Sequence, residues 1–179
     1  MSELKNWVTR SEMEALRKAA RKTRNPVRNE LILLMMYRHG LRVSELCKIQ
    51  MEQLDLNGSN IFVKRIKNGI SGMHPIAGDE LRLLRRYLRE RKTSLPWLFV
   101  SERGNQLARS SVNKMCGLCS DIASLPPVNP HMLRHGCGFF MINKGHDIRA
   151  IQVYLGHASI TNTTIYTKLN EKQFVGMWE

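Results

Sequence analysis

The hydrophobic pattern of this 179-residue chain is helical along most of its length and changes to a strand-like alternation between residues 61 and 77. Side chains of residues 61–66 form two alternating sets, and Asn68-Gly69 follows them as a strong turn signal. Residues 73–77 can then return as the second strand of a hairpin. We therefore predict an α+β fold that is mainly α, with a small antiparallel β-sheet.

Two Asn-Pro pairs mark where helices begin. In Asn25-Pro26 and in Asn129-Pro130, an N-cap residue precedes a proline at the first helical position. The helix that begins at Pro26 should end at Gly40, because glycine is the usual residue just past a helix. Further elements are expected as helices at 11–22, from 44, at 79–92 and from 109 onward, and as a short buried strand at 97–100. The length fits one domain over residues 1–179.

The composition indicates a polyanionic partner. Lys and Arg total 28 against 15 Asp and Glu, which gives a net charge of +13. An excess of this size favours nucleic acid over the alternatives, a solvated basic surface or a membrane surface. No apolar run approaches the ~18 residues of a membrane span, and residues 1–10 do not resemble a signal peptide. The cysteines follow no disulfide spacing and are expected to be reduced thiols of a cytoplasmic protein: Cys47, Cys116, Cys119 and Cys137.

A candidate phosphate site lies at the start of the second Asn-Pro helix. His131 falls in its first turn and Arg134 shares its face, where backbone N–H groups and the helix dipole already favour an anion. The alternative is an ordinary capping turn with a surface arginine. His131 and His135 also have the spacing of a zinc helix, but Met132 stands where a metalloprotease needs glutamate, and Arg134 would repel the metal. We therefore expect no metal and a structural role for His135.

The last motifs before the C-terminal segment are Leu155-Gly156-His157 and Tyr166. Gly156 ends a helix, and a short helix that Ser159 can cap would carry Tyr166. A tyrosine hydroxyl keeps its proton until pH ~10, so it attacks a phosphodiester only where cations and donors already surround the phosphate. An arginine and two histidines upstream of one tyrosine therefore predict DNA strand cleavage through a phosphotyrosine, without a cofactor.

These motifs resemble the catalytic domain of the tyrosine recombinases, also called the phage integrase family. The likeness extends from about Trp7 to Trp178, and residues 66–69, 74–75 and 130–135 are similar to the short invertases that switch fimbrial promoters. The resemblance implies a single catalytic domain over residues 1–179 without the N-terminal core-binding domain that most members carry. It also implies a site-specific recombinase that inverts or exchanges double-stranded DNA between inverted repeats.

The resemblance assigns roles to individual residues. Tyr166 attacks the scissile phosphate and leaves a 3′-phosphotyrosine, while Arg42 and Arg134 hold the non-bridging oxygens with forks that match an oxyanion. The other implied roles are general acid for Lys67, base for His131, phosphate donor for His157 and orientation of neighbours for Glu45. A basic stripe on the helix at 79–92 is expected to contact DNA: Arg82, Arg86 and Arg89.

The resemblance also predicts an assembly on DNA. The apolar residues that follow the tyrosine, Phe174, Val175, Met177 and Trp178, are expected to dock on a neighbouring subunit, in a tetramer on nucleoid DNA with DNA-bending accessory proteins. The alternative for this tail is that it folds back on its own subunit. Two rival functions are a type IB topoisomerase that acts alone and a non-catalytic DNA-binding regulator on the same fold.

Overall fold

A computed structural model of the chain describes residues 5–66 and 68–166. These residues form seven α-helices and one three-stranded sheet, so the mainly helical α+β prediction is confirmed. The helices are α1 (Arg10–Ala20), α2 (Pro26–His39), α3 (Val43–Cys47), α4 (Gly78–Glu90), α5 (Arg109–Ile122), α6 (Pro130–Asn143) and α7 (Ile148–Leu155). The strands are β1 (Leu54–Asp55), β2 (Asn60–Val63) and β3 (Gly72–Pro75), and 3₁₀ turns cover Met51–Gln53, Ile160–Asn162 and Thr164–Tyr166.

Helix α2 is the central element of the fold. All six side chains from Leu31 to Met36 are buried, which is the pattern of a helix surrounded by protein on every side. Helices α1, α4 and α6 pack against it. Pro26 begins the helix as predicted, but Asn25 does not cap it, because its side-chain amide donates to Glu102 at 2.6 Å. The C-terminal end of α2 at Gly40 therefore lies deep in the molecule.

The sheet is antiparallel, in the order β1-β2-β3, with Ile61 paired to His74. The predicted hairpin is confirmed, but β2 ends at Val63 and not at residue 66. The chain leaves the ladder there because the backbone N–H of Arg65 binds the hydroxyl of Ser71 at 2.9 Å. The guanidinium of Arg65 then points into the protein.

The predicted strand at 97–100 is wrong. Trp97 and Val100 each make one isolated bridge, to Gln50 and Gln106, and no ladder forms. Arginine side chains bind carbonyls that a partner strand would otherwise bind. Arg91 donates to the Trp97 carbonyl at 2.5 Å and to the Leu98 carbonyl at 3.2 Å, and Arg28 donates to the Val100 carbonyl at 3.0 Å. The run of apolar residues is buried, but as an irregular segment.

Helix α6 begins, and helix α7 ends, where the sequence predicts. The Asn129 side chain accepts from the backbone N–H of His131 at 2.9 Å and caps α6. Gly156 adopts a left-handed conformation, with φ of 67°, and ends α7. The four cysteines are buried, free thiols. Across residues 5–66 and 68–166, no helix is long and apolar enough to cross a membrane.

Candidate active site

The turn between α2 and α3 presents Arg42. Gly40 takes a left-handed conformation, with φ of 55°, so the chain reverses at once and Arg42 becomes the N-cap of α3. Glu45 closes this turn, because its carboxylate accepts the Arg42 backbone N–H at 2.9 Å and the Arg42 Nη1 at 2.8 Å. One carboxylate therefore fixes both the backbone and the side chain of Arg42.

Glu45 lies among three guanidinium groups. Besides Arg42, it accepts from Arg65 Nη1 at 2.9 Å, and Arg134 Nη1 lies 4.0 Å from its Oε2. Glu45 is only 3% exposed, yet these cations hold the pKa of its carboxyl below the usual value against the opposing effect of burial. Three positive charges around one negative charge leave a net positive site before any ligand arrives, which suits an oxyanion.

Arg65 connects the hairpin to the C-terminal ends of α2 and α7. Its Nη2 donates to the carbonyls of His39 at 2.8 Å and Tyr154 at 2.6 Å, and its Nη1 donates to Gly40 at 3.1 Å. The side chain passes so close to Gly156 that a Cβ there would lie 2.8 Å from the Arg65 Cδ. Arg65 thus holds the C-terminal ends of α2 and α7 at a fixed separation.

Arg134 extends inward from α6. Its Nη1 donates to the Gly40 carbonyl and its Nη2 to the Leu155 carbonyl at 2.8 Å. Burial, together with the charges of Arg42 and Arg65, lowers the pKa of Arg134 to about 10, so the guanidinium stays charged at neutral pH. Because both terminal nitrogens are already anchored to carbonyls, the fork is held rigidly in place.

His157 follows the left-handed glycine that ends α7. Its Nδ1 lies 2.9 Å from the hydroxyl of Thr163, and the residue is 7% exposed. Burial and then the field of Arg134 and Arg42 lower the pKa of His157 to about 4. The ring is therefore neutral at pH 7. With Nδ1 engaged by Thr163, Nε2 is the nitrogen that is left to meet a ligand.

His131 stands at the exposed start of α6. Burial, then Arg134 and Arg42, lower its pKa. Asn129 accepts the backbone N–H groups of His131 and Met132, at 2.9 and 3.1 Å. The expectation that free backbone N–H groups bind the anion here is therefore wrong for these two groups. The side chains of His131 and Arg134 remain as the donors at this helix end.

Tyr166 is enclosed at the end of the described chain. It is 1% exposed, its ring meets Phe139 edge-on at a centroid distance of 5.0 Å, and its hydroxyl lies 3.3 Å from His135 Nδ1. Burial raises the pKa of Tyr166 to about 12, although Arg134 and Arg42 act in the opposite direction. The hydroxyl therefore keeps its proton at neutral pH until something draws it away.

A cavity of about 500 Å³ lies between the turn after α2, the start of α6 and the segment that ends at Tyr166. The structure brings together there five of the six predicted catalytic residues: Arg42, His131, Arg134, His157 and Tyr166. The sixth, Lys67, lies outside the described residues, as do Phe174, Val175, Met177 and Trp178 of the tail. A second pocket of about 350 Å³ shares Arg42 and His131 with the first and extends it to Arg109 on α5.

The other predicted residues lie away from this cavity. Arg82, Arg86 and Arg89 are exposed on α4, where Arg86 pairs with Glu90 at 3.1 Å, and none of them lines the cavity. His131 and His135 face each other at a ring distance of 4.8 Å. In the part of the chain that the structure describes, no group of three or more metal-binding side chains forms around them or elsewhere.

Two residues of the site were not selected as functional from the sequence. In the sequence, Arg65 continues the alternation of Ile61 and Val63, the inward residues of β2, and a charged residue in that phase is a signal for a buried partner. His135 was assigned a structural role, yet it contacts the Tyr166 hydroxyl. Its position one helical turn after His131 is the signal that places it on the same face.

Comparison with known proteins gives one family. The model of the phage integrase family matches residues 6–173. The type 1 fimbriae regulatory protein FimB of Escherichia coli K12 is 39% identical over 181 residues, which cover 98% of this chain and 90% of that protein. FimE of the same strain is 35% identical, covering 98% of this chain and 91% of that protein.

A solved structure shares the fold. The crystal structure of XerA recombinase superposes with a TM-score of 0.82 at 32% identity, over 93% of this chain. The chain spans 61% of the length of that XerA chain. The family match and the structural superposition therefore both cover nearly all of the described residues.

Proposed function

Because this chain belongs to the phage integrase family, we propose that it is a site-specific DNA recombinase that cleaves and rejoins DNA through a 3′-phosphotyrosine. One observation carries the proposal: Tyr166 shares a cavity with Arg42, Arg134 and three histidines. Beside this cavity three guanidinium groups surround a single carboxylate, that of Glu45. A phosphodiester is the ligand that such a site is built to hold, and the tyrosine is the nucleophile present.

Strand cleavage needs an exchange of one bond at phosphorus. The Tyr166 oxygen forms a bond to the phosphorus, and the bond from phosphorus to the 5′-oxygen breaks. Arg42 and Arg134 neutralise the charge that gathers on the non-bridging oxygens, and Glu45 keeps their forks aligned for that task. Since cleavage conserves the number of phosphodiester bonds, attack of a new 5′-hydroxyl on the phosphotyrosine reseals DNA without a cofactor.

Two protons move during cleavage. The tyrosine must lose one, and His131 is assigned as the base that removes it. The departing 5′-oxygen must gain one, and Lys67 is assigned as the acid that supplies it. In support of Lys67, described residues beside it lie against the site: the Ile66 N–H donates to Glu45 at 3.3 Å, and a Cβ on Gly69 would lie 2.7 Å from the Gly156 carbonyl. His157 donates to the phosphate.

The likeness to FimB and FimE favours DNA inversion as the outcome. Both are regulatory proteins of type 1 fimbriae and cover almost the whole of this chain. We infer that the substrate is double-stranded DNA with inverted repeats, and that inversion switches transcription beside the repeats. Association with the nucleoid follows from that substrate. DNA-bending accessory proteins and contacts from Arg82, Arg86 and Arg89 remain part of this proposal.

The proposed tetramer needs an acceptor for the C-terminal tail. A groove of about 680 Å³ between α1, α2, α6 and α7 is lined by three aromatic side chains and by more basic than acidic ones. The aromatic residues are Tyr37, Phe140 and Tyr154, and the charged ones are Arg10, Arg17, Arg38 and Lys144 against Glu14 and Asp79. The apolar tail residues, followed by the acidic Glu179, complement this groove in both hydrophobicity and charge. We infer that the tail of one copy occupies the groove of the next.

A pair of variants tests the tail assignment. Deletion of residues 173–179 and Phe140→Ser should each weaken cooperative occupancy of two adjacent half-sites. The two changes together should do no more than either alone, because they remove the same contact. Additive losses would place the tail on another surface. A lower melting temperature of the tail-deleted monomer, absent on Phe140→Ser, would mean that the tail folds back on its own subunit.

Covalent capture tests the recombinase proposal and identifies the target sequence in the same experiment. The protein is incubated with a pool of nicked duplexes whose sequence beside the nick is randomised, and adducts that survive denaturation are recovered and sequenced. We expect a defined half-site to emerge from the wild-type protein and no adduct from Tyr166→Phe, which removes the nucleophile but no charge. Failure of the wild type to attach to any duplex, while it still binds DNA, would contradict the proposal.

The same half-site tests Lys67. Replacing the 5′-oxygen at the scissile bond by sulfur gives a leaving group that needs little protonation. Lys67→Ala should therefore slow cleavage of the ordinary substrate far more than cleavage of the 5′-phosphorothiolate. Equal slowing on both substrates would assign Lys67 to electrostatic stabilisation alone.

A further inference from the structure

Among the described residues, His135 is the side chain that forms a hydrogen bond with the hydroxyl of the proposed nucleophile. Its Nδ1 lies 3.3 Å from the Tyr166 hydroxyl, and in residues 5–66 and 68–166 this is the hydrogen bond found for that hydroxyl. His131, the base assigned by resemblance, is one helical turn away and meets His135 edge to face at 4.8 Å. The imidazole nearest the tyrosine oxygen is therefore one to which the family resemblance gives no role.

The Tyr166 ring is held by three residues of α6. His135 bonds the hydroxyl, Phe139 meets the ring edge-on at 5.0 Å, and Gly138 leaves space for the ring itself. A Cβ on Gly138 would lie within 2.6 Å of both Cε atoms of the tyrosine. The apolar contacts fix the plane of the ring, but only His135 acts on the direction of the O–H bond.

The protonation state of His135 suits an acceptor. Burial, then the charges of His131 and Arg134, lower its pKa to about 4, so the ring is neutral at pH 7 and one nitrogen carries a lone pair. Tyr166 keeps its proton, because burial raises its pKa to about 12. In the tautomer that carries its proton on Nε2, Nδ1 accepts the hydrogen bond of the tyrosine hydroxyl, and this is the tautomer that the inference below requires. Because the pKa of His135 is far below that of Tyr166, the imidazole does not take up the tyrosine proton.

We propose that His135 is a positioning residue for the nucleophile: it accepts the hydrogen bond of the Tyr166 hydroxyl and directs the oxygen toward the phosphate held by Arg42 and Arg134. The inference rests on the proposed role of Tyr166 as the nucleophile. It differs from a packing role, which would need only the shape of the ring. It also differs from a base, which would need the ring to take up the proton.

Three substitutions at this position separate these roles. His135→Phe keeps a planar ring but has no acceptor. His135→Asn places an amide oxygen close to the position of Nδ1, and this oxygen accepts a hydrogen bond but takes up no proton at neutral pH. In His135→Gln the amide oxygen is one bond farther from the backbone, near the position of Nε2 and out of line with the tyrosine. Each variant is assayed for the single-turnover rate of attachment to the captured nicked half-site, beside binding affinity and melting temperature.

The expected order follows from the geometry. A misplacement of about 1 Å at the reacting atom costs up to ~10²-fold, so we expect His135→Phe and His135→Gln to attach DNA about 10- to 100-fold more slowly than the wild type. Half-site affinity should stay close to that of the wild type. His135→Asn should recover most of the rate, and this recovery is what a packing role or a base does not predict.

Several outcomes would overturn the inference. A His135→Phe variant that attaches DNA at the wild-type rate would show that shape alone suffices. A His135→Asn variant as slow as His135→Phe would show that proton uptake is needed, which makes His135 a base. If His135→Phe does not fold, the comparison of Asn with Gln decides between the same alternatives. Adduct formation by Tyr166→Phe would instead reject the nucleophile itself, so failure of the proposed function is recognised separately.

Discussion

Gly138 provides a direct test of the way in which the fold holds Tyr166, the proposed nucleophile. In Gly138→Ala the new methyl group would lie within 2.6 Å of three ring carbons of Tyr166. Carbon atoms pack at about 3.5–4.0 Å, so the ring must retreat by about 1 Å. A displacement of that size at the reacting atom reduces the rate by up to ~10²-fold, which equals about 2.7 kcal/mol of transition-state stabilisation.

The effect of the same change on folding should be small. Alanine is favoured over glycine in a helix interior by about 1 kcal/mol, whereas overpacking a buried site costs about 1–3 kcal/mol. The free energy of unfolding should thus fall by no more than about 2 kcal/mol, the difference between these two effects. We expect a folded protein that binds the half-site normally and attaches to it about 100-fold more slowly.

Gly117→Ala is the matched control. Gly117 lies inside α5, and a Cβ there would meet no heavy atom within 4 Å. This variant should gain about 1 kcal/mol of stability and attach to DNA at the wild-type rate. Stability is measured by urea unfolding and attachment by single-turnover kinetics at saturating half-site. A Gly138→Ala protein that is folded and attaches as fast as the Gly117→Ala control would refute the argument that the glycine seats the tyrosine.

Four further predictions concern the charges of the site and the fold. Arg65→Met should lower the free energy of unfolding by about 3 kcal/mol, because it removes one donor from the buried Glu45 and one from each of the His39, Gly40 and Tyr154 carbonyls. A loss below about 1 kcal/mol in urea unfolding would contradict the role of Arg65 as the link between α2 and α7. Cleavage should survive EDTA, because arginine, histidine and lysine supply the positive charge; loss on chelation that zinc restores would revive a metal site at His131 and His135. Half-site affinity, measured by fluorescence anisotropy, should fall about 10³–10⁵-fold between 50 and 200 mM salt if ~6–10 phosphates are neutralised; a shallow slope would mean that the +13 charge faces solvent. Burial, then His39 and Arg65, lower the pKa of His74 to about 3, so below about pH 6.5 the unfolded chain binds a proton that the folded protein does not. For this group the free energy of unfolding should therefore fall by about 1.4 kcal/mol for each pH unit below 6.5. His74→Gln should remove that part of the pH dependence when unfolding is measured from pH 7 to 5.

Local signals in the sequence were sufficient for most element boundaries. Pro26, Gly40 and Gly156 end or begin helices through backbone properties of the residue itself, so no tertiary information is needed to place them. The segment at 97–100 was misread because the side chains of Arg91 and Arg28 bind three of its four carbonyls, contacts that no local pattern reveals. Asn25 failed as a cap for the same reason, since Glu102 lies 77 residues away in sequence.

The proposed catalytic residues were easier to predict from the sequence than the residues that hold them in place. Arg42, His131, Arg134, His157 and Tyr166 belong to recognisable motifs, and they line one cavity. Arg65 and His135 act through partners that are distant in sequence, such as the Tyr154 carbonyl and the Tyr166 hydroxyl. Their contacts depend on how α6, α7 and the hairpin pack together, and that arrangement is a property of the whole fold.

The central claim is that Tyr166 becomes covalently joined to DNA, and one measurement addresses it directly. The adduct with the captured half-site is digested with protease and nuclease, and the modified peptide is sequenced by mass spectrometry. The account predicts a nucleotide attached through its 3′-phosphate to Tyr166, with a free 5′-hydroxyl on the released strand. A nucleotide on any other residue, or a 5′-linked phosphate on Tyr166, would contradict it.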